Sequence, residues 1–239
     1  MTTSSDCCDE YISRLRSNDP TLTTLNISYI SIDDEDIEHL VTALAFNSTL
    51  TTLDLTGNDI GAGAGRLALT LASNCTLSTL VLNHNRIGAE AAARLAVALR
   101  MNSTLSTLSL RSCDISGAGA DRLVASLCIN TTLTSLDLLE NPIPDNDFGD
   151  LLRSNSSLTS LALPLKSSLR EFSAALFFHP SLISLDCPYP SAGSYLDFIY
   201  MNYRGQINCY LQRNVDNRAK RPFTLFALLL SLMTIVDRS

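Results

Sequence analysis

Three histidines, His39, His84 and His179, are the side chains best suited to carry a proton near neutral pH. They lie far apart in the sequence, and each has a simple local setting. His39 sits beside Leu40 and Val41 in an amphipathic stretch, which predicts a helix-surface position. His179 precedes Pro180 at a predicted helix end, where a cation suits the dipole. His84 follows an inner strand, and its expected role is a binding contact rather than catalysis. The run Gly61–Gly65 (GAGAG) imitates a phosphate loop but lacks the lysine that should follow. Equivalent stretches read GAEAA and SGAGA, so the run is variation at a helix start. The carboxylates Asp33, Asp34, Glu35 and Asp36 fit a helix N-terminus better than a cation site. No G-x-S-x-G, H-E-x-x-H or G-x-x-x-x-G-K pattern occurs. No catalytic residue, cofactor or metal is therefore expected, and the chain is expected not to be an enzyme.

The chain has 239 residues, 46% of them apolar and 17% charged, which suits a continuous core and excludes a disordered polymer. A net charge of −7 argues against holding nucleic acid through phosphates and against docking on anionic lipid. Seven cysteines cannot all pair within the chain. Cys75, Cys113, Cys128 and Cys187 are expected as small apolar fillers in a reducing, cytoplasmic compartment. Cys7 and Cys8 have no His or Cys cluster beside them, so no zinc site is expected. The opening MTTSSDCCDE has neither a basic start nor an apolar stretch, so no secretory signal is expected.

What would position any functional group is a repeat. Leu22, Leu50, Leu77, Leu105, Leu133, Leu158 and Leu182 recur every 24–28 residues, and each opens a near-copy of one phrase. The clearest copies are LTTLDLTGNDI (Leu50 to Ile60) and LSTLVLNHNRI (Leu77 to Ile87). Alternation through Leu53–Asp54–Leu55 predicts a short strand. Spacing of four between Leu67 and Leu71, and again through Ala91, Leu95 and Leu99, predicts a helix after it. A fixed period of this size means stacked units, each burying its apolar face against the next. The expected fold is an α/β right-handed solenoid, a horseshoe with parallel strands on the concave side and helices on the convex side.

Asn58, Asn85 and Asn141 hold the ninth position of the phrase, where a buried amide could satisfy backbone groups of neighbouring loops. Cys113 replaces Asn there and should weaken its rung, and Ile30 marks an atypical end unit. Asn26, Asn47, Asn74, Asn102, Asn130 and Asn155 stand in N-x-S/T triplets. They are expected to be turn or helix-end residues chosen for tolerance of left-handed backbone rather than glycan acceptors. Residues 9–18 resemble the helical half of an incomplete first unit, and another helix is expected over 195–203. Hence 1–20 is expected as an N-terminal cap, 21–204 as about seven repeats with the last two degenerate, and 205–239 as a C-terminal helical cap. The apolar segment FTLFALLLSLMTIV (223–236) would span about 21 Å as a helix, short of a bilayer core of roughly 30 Å. It could close the stack, contact a partner or another copy, or touch a membrane.

By phase, the third position exposes Thr24, Thr52, Thr79, Thr107, Ser135, Ser160 and Ser184. The fifth position and the strand ends carry the larger groups. Aromatic and arginine side chains are the usual anchors of interfaces. The candidate recognition patch is therefore Tyr29, His84, Arg86 and Arg111, with Asp54, Asp137 and Glu140 nearby.

Units of 27–28 residues carrying LxxLxLxx(N/C)xI and a full helix resemble the ribonuclease-inhibitor-like class of leucine-rich repeats. The resemblance covers about residues 9–200. That class also includes the leucine-rich portions of NOD-like receptors and of the Ran GTPase-activating protein. It implies a curved solenoid that binds another protein through its concave face and adjoining loops. By analogy it also admits a regulator of GTPases, although the acidic tail of that family has no counterpart in these residues. Separately, the chain is expected to be a monomer, and its net charge gives no expectation of a nucleic-acid partner. The NSTL and NTTL openings are similar in style to leucine-rich-repeat effectors that intracellular bacteria deliver into host cells, which implies action in a host cytosol. A third expectation is a structural or targeting protein that uses 223–236.

Overall fold

The computed structural model describes residues 4–32, 34–144, 148–164, 175–176, 179–186 and 207–215. The expected segments 195–203 and 223–236 lie outside the described residues. Helices and strands alternate: α1 (Ser4–Arg16), β1 (Thr24–Asn26), α2 (Asp34–Leu44), β2 (Thr52–Asp54), α3 (Gly63–Leu71), β3 (Thr79–Val81), α4 (Gly88–Met101), β4 (Thr107–Ser109), α5 (Gly117–Leu127), β5 (Ser135–Asp137), α6 (Gly149–Ser154), β6 (Ser160–Ala162) and β7 (Ser184–Asp186). A further helix covers 207–215. The first helix begins before the residue 9 expected from sequence.

The seven strands form one parallel sheet in chain order, with like positions of successive repeats paired. Each strand is three residues long. The central leucine points inward and its neighbours outward, as in Thr79–Leu80–Val81. Leu53, Leu80 and Leu108 have no exposed surface, nor do Leu95 and Leu99 from the helix layer. One hydrophobic core therefore runs the length of the stack. The helices lie close to each other because small residues allow it. A side chain added at Gly119 would press on the Ala89 Cα and the Ile115 and Ala92 side chains.

Two asparagine ladders tie the repeats together. In the first, Asn58 Nδ2 donates to the carbonyls of Ile27 (2.7 Å) and Leu55 (3.0 Å), while its Oδ1 accepts the N–H groups of Ile30 and Ile32. Asn85 and Asn141 do the same one and three units along. At Cys113 the thiol donates to the Leu82 carbonyl (3.1 Å) and receives the Asn85 N–H. Burial pushes this thiol up to about 11, so it stays a neutral donor. The cysteine keeps the donor half of the rung and offers only a weak acceptor for the rest.

The second ladder corrects the reading of the N-x-S/T triplets. Asn47, Asn74, Asn102, Asn130 and Asn155 are buried at helix ends. None has left-handed backbone, and Asn102 and Asn155 are extended (φ −75°, ψ 130° and φ −86°, ψ 136°). Their role is cross-linking. Asn102 Nδ2 reaches the Leu71 (2.8 Å) and Asn74 (3.1 Å) carbonyls of the preceding unit, and its Oδ1 accepts the N–H groups of Thr104 and Leu105. Asn26 is different: it ends β1 on the exposed face, with Oδ1 bonded to the Ser28 N–H and hydroxyl.

His179 takes the next place in this ladder, which overturns its reading as a cation at a helix end. It is fully buried, and its Nδ1 accepts the N–H groups of Ser181 (3.3 Å) and Leu182 (3.1 Å). An accepting Nδ1 requires a neutral ring. Burial first, and the Arg213 charge second, lower its pKa to about 4. His39 is exposed on α2, as expected. Cys75 is exposed and Cys128 half-buried, so of the described cysteines expected as fillers only Cys113 is buried.

Candidate functional site

The strands of the first five units end in the same turn. The residue eighth in the phrase has left-handed backbone: Tyr29 (φ 57°), Gly57 (70°), His84 (54°), Ser112 (54°) and Glu140 (57°). Its N–H donates to the seventh-position carbonyl of the next unit, as Tyr29 does to Thr56, Gly57 to Asn83, His84 to Arg111 and Ser112 to Leu139. These bonds carry parallel pairing beyond the strands. They line up the eighth-position side chains along one rim, about 4.8 Å apart as neighbouring strands are.

Glycine fits that backbone at no steric cost, whereas an aromatic residue pays for it. Tyr29 nonetheless occupies it with 69% of its surface exposed. Its ring lies against Gly57, where an added Cβ would overlap the ring carbons. Gly57→Ala should therefore lower stability by about 1 kcal/mol and expel the tyrosine from its seat. Denaturant unfolding and a shifted Tyr29 ring resonance in NMR spectra check this.

Arg111 sits in the middle of the rim. Its N–H is held by Asn83 Oδ1 (2.9 Å), which also accepts the Ser109 hydroxyl (2.7 Å). Its guanidinium Nε lies 3.5 Å from Glu140 Oε1, buried and without a hydrogen bond among the described residues. The structure thus brings together Arg111, Glu140 and, through its backbone, His84, with Tyr29 two units away. Arg86 is 3.8 Å from Asp59 in an exposed pair, on the turn leading to the helices rather than with the others. Asp54 and Asp137 lie on the open face. Each spends one oxygen on its own turn, Asp54 on the Thr56 N–H and hydroxyl, Asp137 on the Leu139 N–H. Asn83, Gly57 and Asp59 were missed from sequence. The N-H-N run around His84 was the available signal for Asn83.

Chemically, the rim offers one aromatic face, one imidazole, one guanidinium with donor capacity to spare, and carboxylates. Among the described residues no three His, Cys, Asp or Glu side chains cluster as metal ligands would. Among them, too, no helix is long and apolar enough to cross a membrane.

Comparison with known proteins agrees with this architecture. The family profile described as Leucine Rich repeat matches residues 46–66, 73–96 and 102–124. The leucine-rich repeat-containing protein LegL7 from Legionella pneumophila is 19% identical, with 84% of this chain and 68% of that one covered and a TM-score of 0.53. The actin-binding site 2 of leiomodin-1 is 20% identical over 89% of this chain and 91% of that one, TM-score 0.47. The tropomodulin C-terminal domain of Caenorhabditis elegans is 15% identical over 90% and 96%, TM-score 0.44. A search of curated proteins returns no significant match.

Proposed function

We propose that this leucine-rich-repeat solenoid, similar to the ribonuclease-inhibitor-like class, is a non-enzymatic module that binds a partner protein along the rim formed by the strand ends. One observation carries the reading. Tyr29 occupies a left-handed position that costs a tyrosine energy, yet it is mostly exposed and stabilises no core. A strained, exposed aromatic residue that shares a rim with an arginine is suited to an interface, and it has no structural duty that a glycine would not meet. The partner presents a carboxylate to the exposed part of the Arg111 guanidinium and an apolar or cationic group to the Tyr29 ring.

A compartment free of N-glycosylation fits the same structure. Glycans attached to Asn47, Asn74, Asn102, Asn130 or Asn155 during synthesis would block amides that the folded stack buries. The free thiols of Cys75, Cys113, Cys128 and Cys209 agree with a reducing environment.

Arg111→Glu tests the reading. The side chain is 38% exposed and its pair with Glu140 is a surface one, so stability should change by less than about 1 kcal/mol. Affinity for a captured partner should fall at least tenfold. Unaltered capture by that variant removes the rim from the interface.

A further inference from the structure

The helix layer has a second face, turned away from the strands, and it divides into two bands. The N-terminal halves of the helices carry charges that pair among themselves, Arg66 with Glu38 (3.4 Å) and Arg94 with Glu90 (3.3 Å). The C-terminal halves and the turns that follow them carry large apolar side chains in the open: Phe46 (81% exposed), Leu69 (68%), Val97 (61%), Met101 (69%) and Ile129 (58%). Their placement is regular. Phe46, Met101 and Ile129 each precede a ladder asparagine, and Leu69 and Val97 lie one turn earlier in α3 and α4. Stacking places these sites on adjacent helices about 10 Å apart, in one strip with Arg100 at its margin. Core packing does not explain them, because the inward faces of the same helices already bury Leu67, Leu71, Leu95 and Leu99.

We propose that this strip is the contact face of a two-fold dimer of the chain. Five side chains at these exposures present on the order of 500 Å² of apolar surface, at the upper end of what a monomer leaves open. A stable interface takes about 800 Å² from each partner, somewhat over half of it apolar, so the strip matches one side of such an interface. A second copy is the occupant that this strip fits without further provision. It is apolar and nearly uncharged, hence complementary to itself under a two-fold axis, and it offers no charge pattern for a different partner to read. The rim with Tyr29 and Arg111 lies on the other side of the solenoid and stays open in the dimer.

Sedimentation velocity of the full chain over about 1–100 µM tests this, with Val97→Glu and Met101→Glu as variants. The expected result is a reversible dimer that persists at high salt and dissociates at least tenfold more readily in either variant, with the melting midpoint unchanged. Both positions are exposed, so loss of fold is not expected. Should one variant unfold, the other and Ile129→Lys give the same reading. A chain that stays monomeric throughout overturns the proposal. So does a dimer that both variants leave intact, since association would then lie elsewhere, for example in residues 223–236.

Discussion

Asn102→Ala lowers stability by about 3–5 kcal/mol, as much as removing a core leucine, although the lost group is a polar amide. Four backbone groups bond to this one side chain: the Leu71 and Asn74 carbonyls, and the Thr104 and Leu105 N–H groups, the Asn74 carbonyl also accepting the Thr104 hydroxyl (3.4 Å). Asn102 is 5% exposed, so water cannot replace the amide at those groups without opening the stack. The two carbonyls belong to the preceding unit and the Leu105 N–H opens the next one, so the loss falls on the junctions between repeats. In a linear array that junction term is what couples one unit to the next. The variant should therefore unfold with a lower midpoint and a broader transition in urea, followed by circular dichroism. Asn102→Asp sharpens the test. At pH 7 it keeps the acceptor and turns a buried oxygen toward two carbonyls, which repel it. Protonation restores one donor, so this variant alone should regain part of its stability as the pH falls toward 5. A loss under about 1 kcal/mol in the alanine variant would mean that the ladder does not hold the array together.

Sequence spacing was enough for the repeat, the parallel sheet and the ninth-position asparagines, because each rests on a local pattern copied many times. Leu53, Leu80 and Leu108 face inward for the reason their period implies. Five of the six N-x-S/T asparagines, all but Asn26, were placed correctly at helix ends and explained wrongly. The local explanation, backbone tolerance, is visible in one unit. The actual one, an amide spanning two units, needs the stack. His179 fails for the same reason: in sequence it is a histidine before a proline, while in the stack it replaces an asparagine. The rim was legible as a set of phases, so Tyr29, His84, Arg111 and Glu140 could be named. Its pairings were not, since Arg111 with Glu140, and Tyr29 over Gly57, join residues 29 and 28 positions apart.

His179→Asn should stabilise the chain in mild acid and change little at neutral pH. The ring is neutral in the fold, and its pKa of about 4 lies below the unfolded value of 6.5. Between those values the unfolded chain binds a proton that the folded chain refuses, so stability falls as pH drops from 6.5 to 4. The loss reaches about 3 kcal/mol at the bottom of that window. Its structural cause is specific. A proton on Nδ1 would break the bonds from the Ser181 and Leu182 N–H groups and add a charge beside Arg213. The His179 carbonyl, which accepts Arg213 Nη2 (3.0 Å) and Asn214 Nδ2 (3.0 Å), ties the helix over 207–215 to the stack, so that junction should loosen first. Asn214 Nδ2 also reaches the Leu182 carbonyl (2.6 Å), which makes the junction depend on the same short segment. Asparagine supplies an uncharged acceptor at the same place, as Asn155 does for Ser157 and Leu158 one unit earlier. Asp19, held down at about 2 by the Thr21 hydroxyl and N–H and by Arg14, also gives acid lability, but only below its ordinary value of 3.8. Thermal melts of both proteins from pH 7 to 4.5 therefore separate the two. The expected result is a midpoint difference that grows steadily on acidification, with hydrogen exchange in 207–215 rising first in the unsubstituted chain. Parallel melting curves for the two proteins across that range would show that His179 is not the acid-sensitive joint.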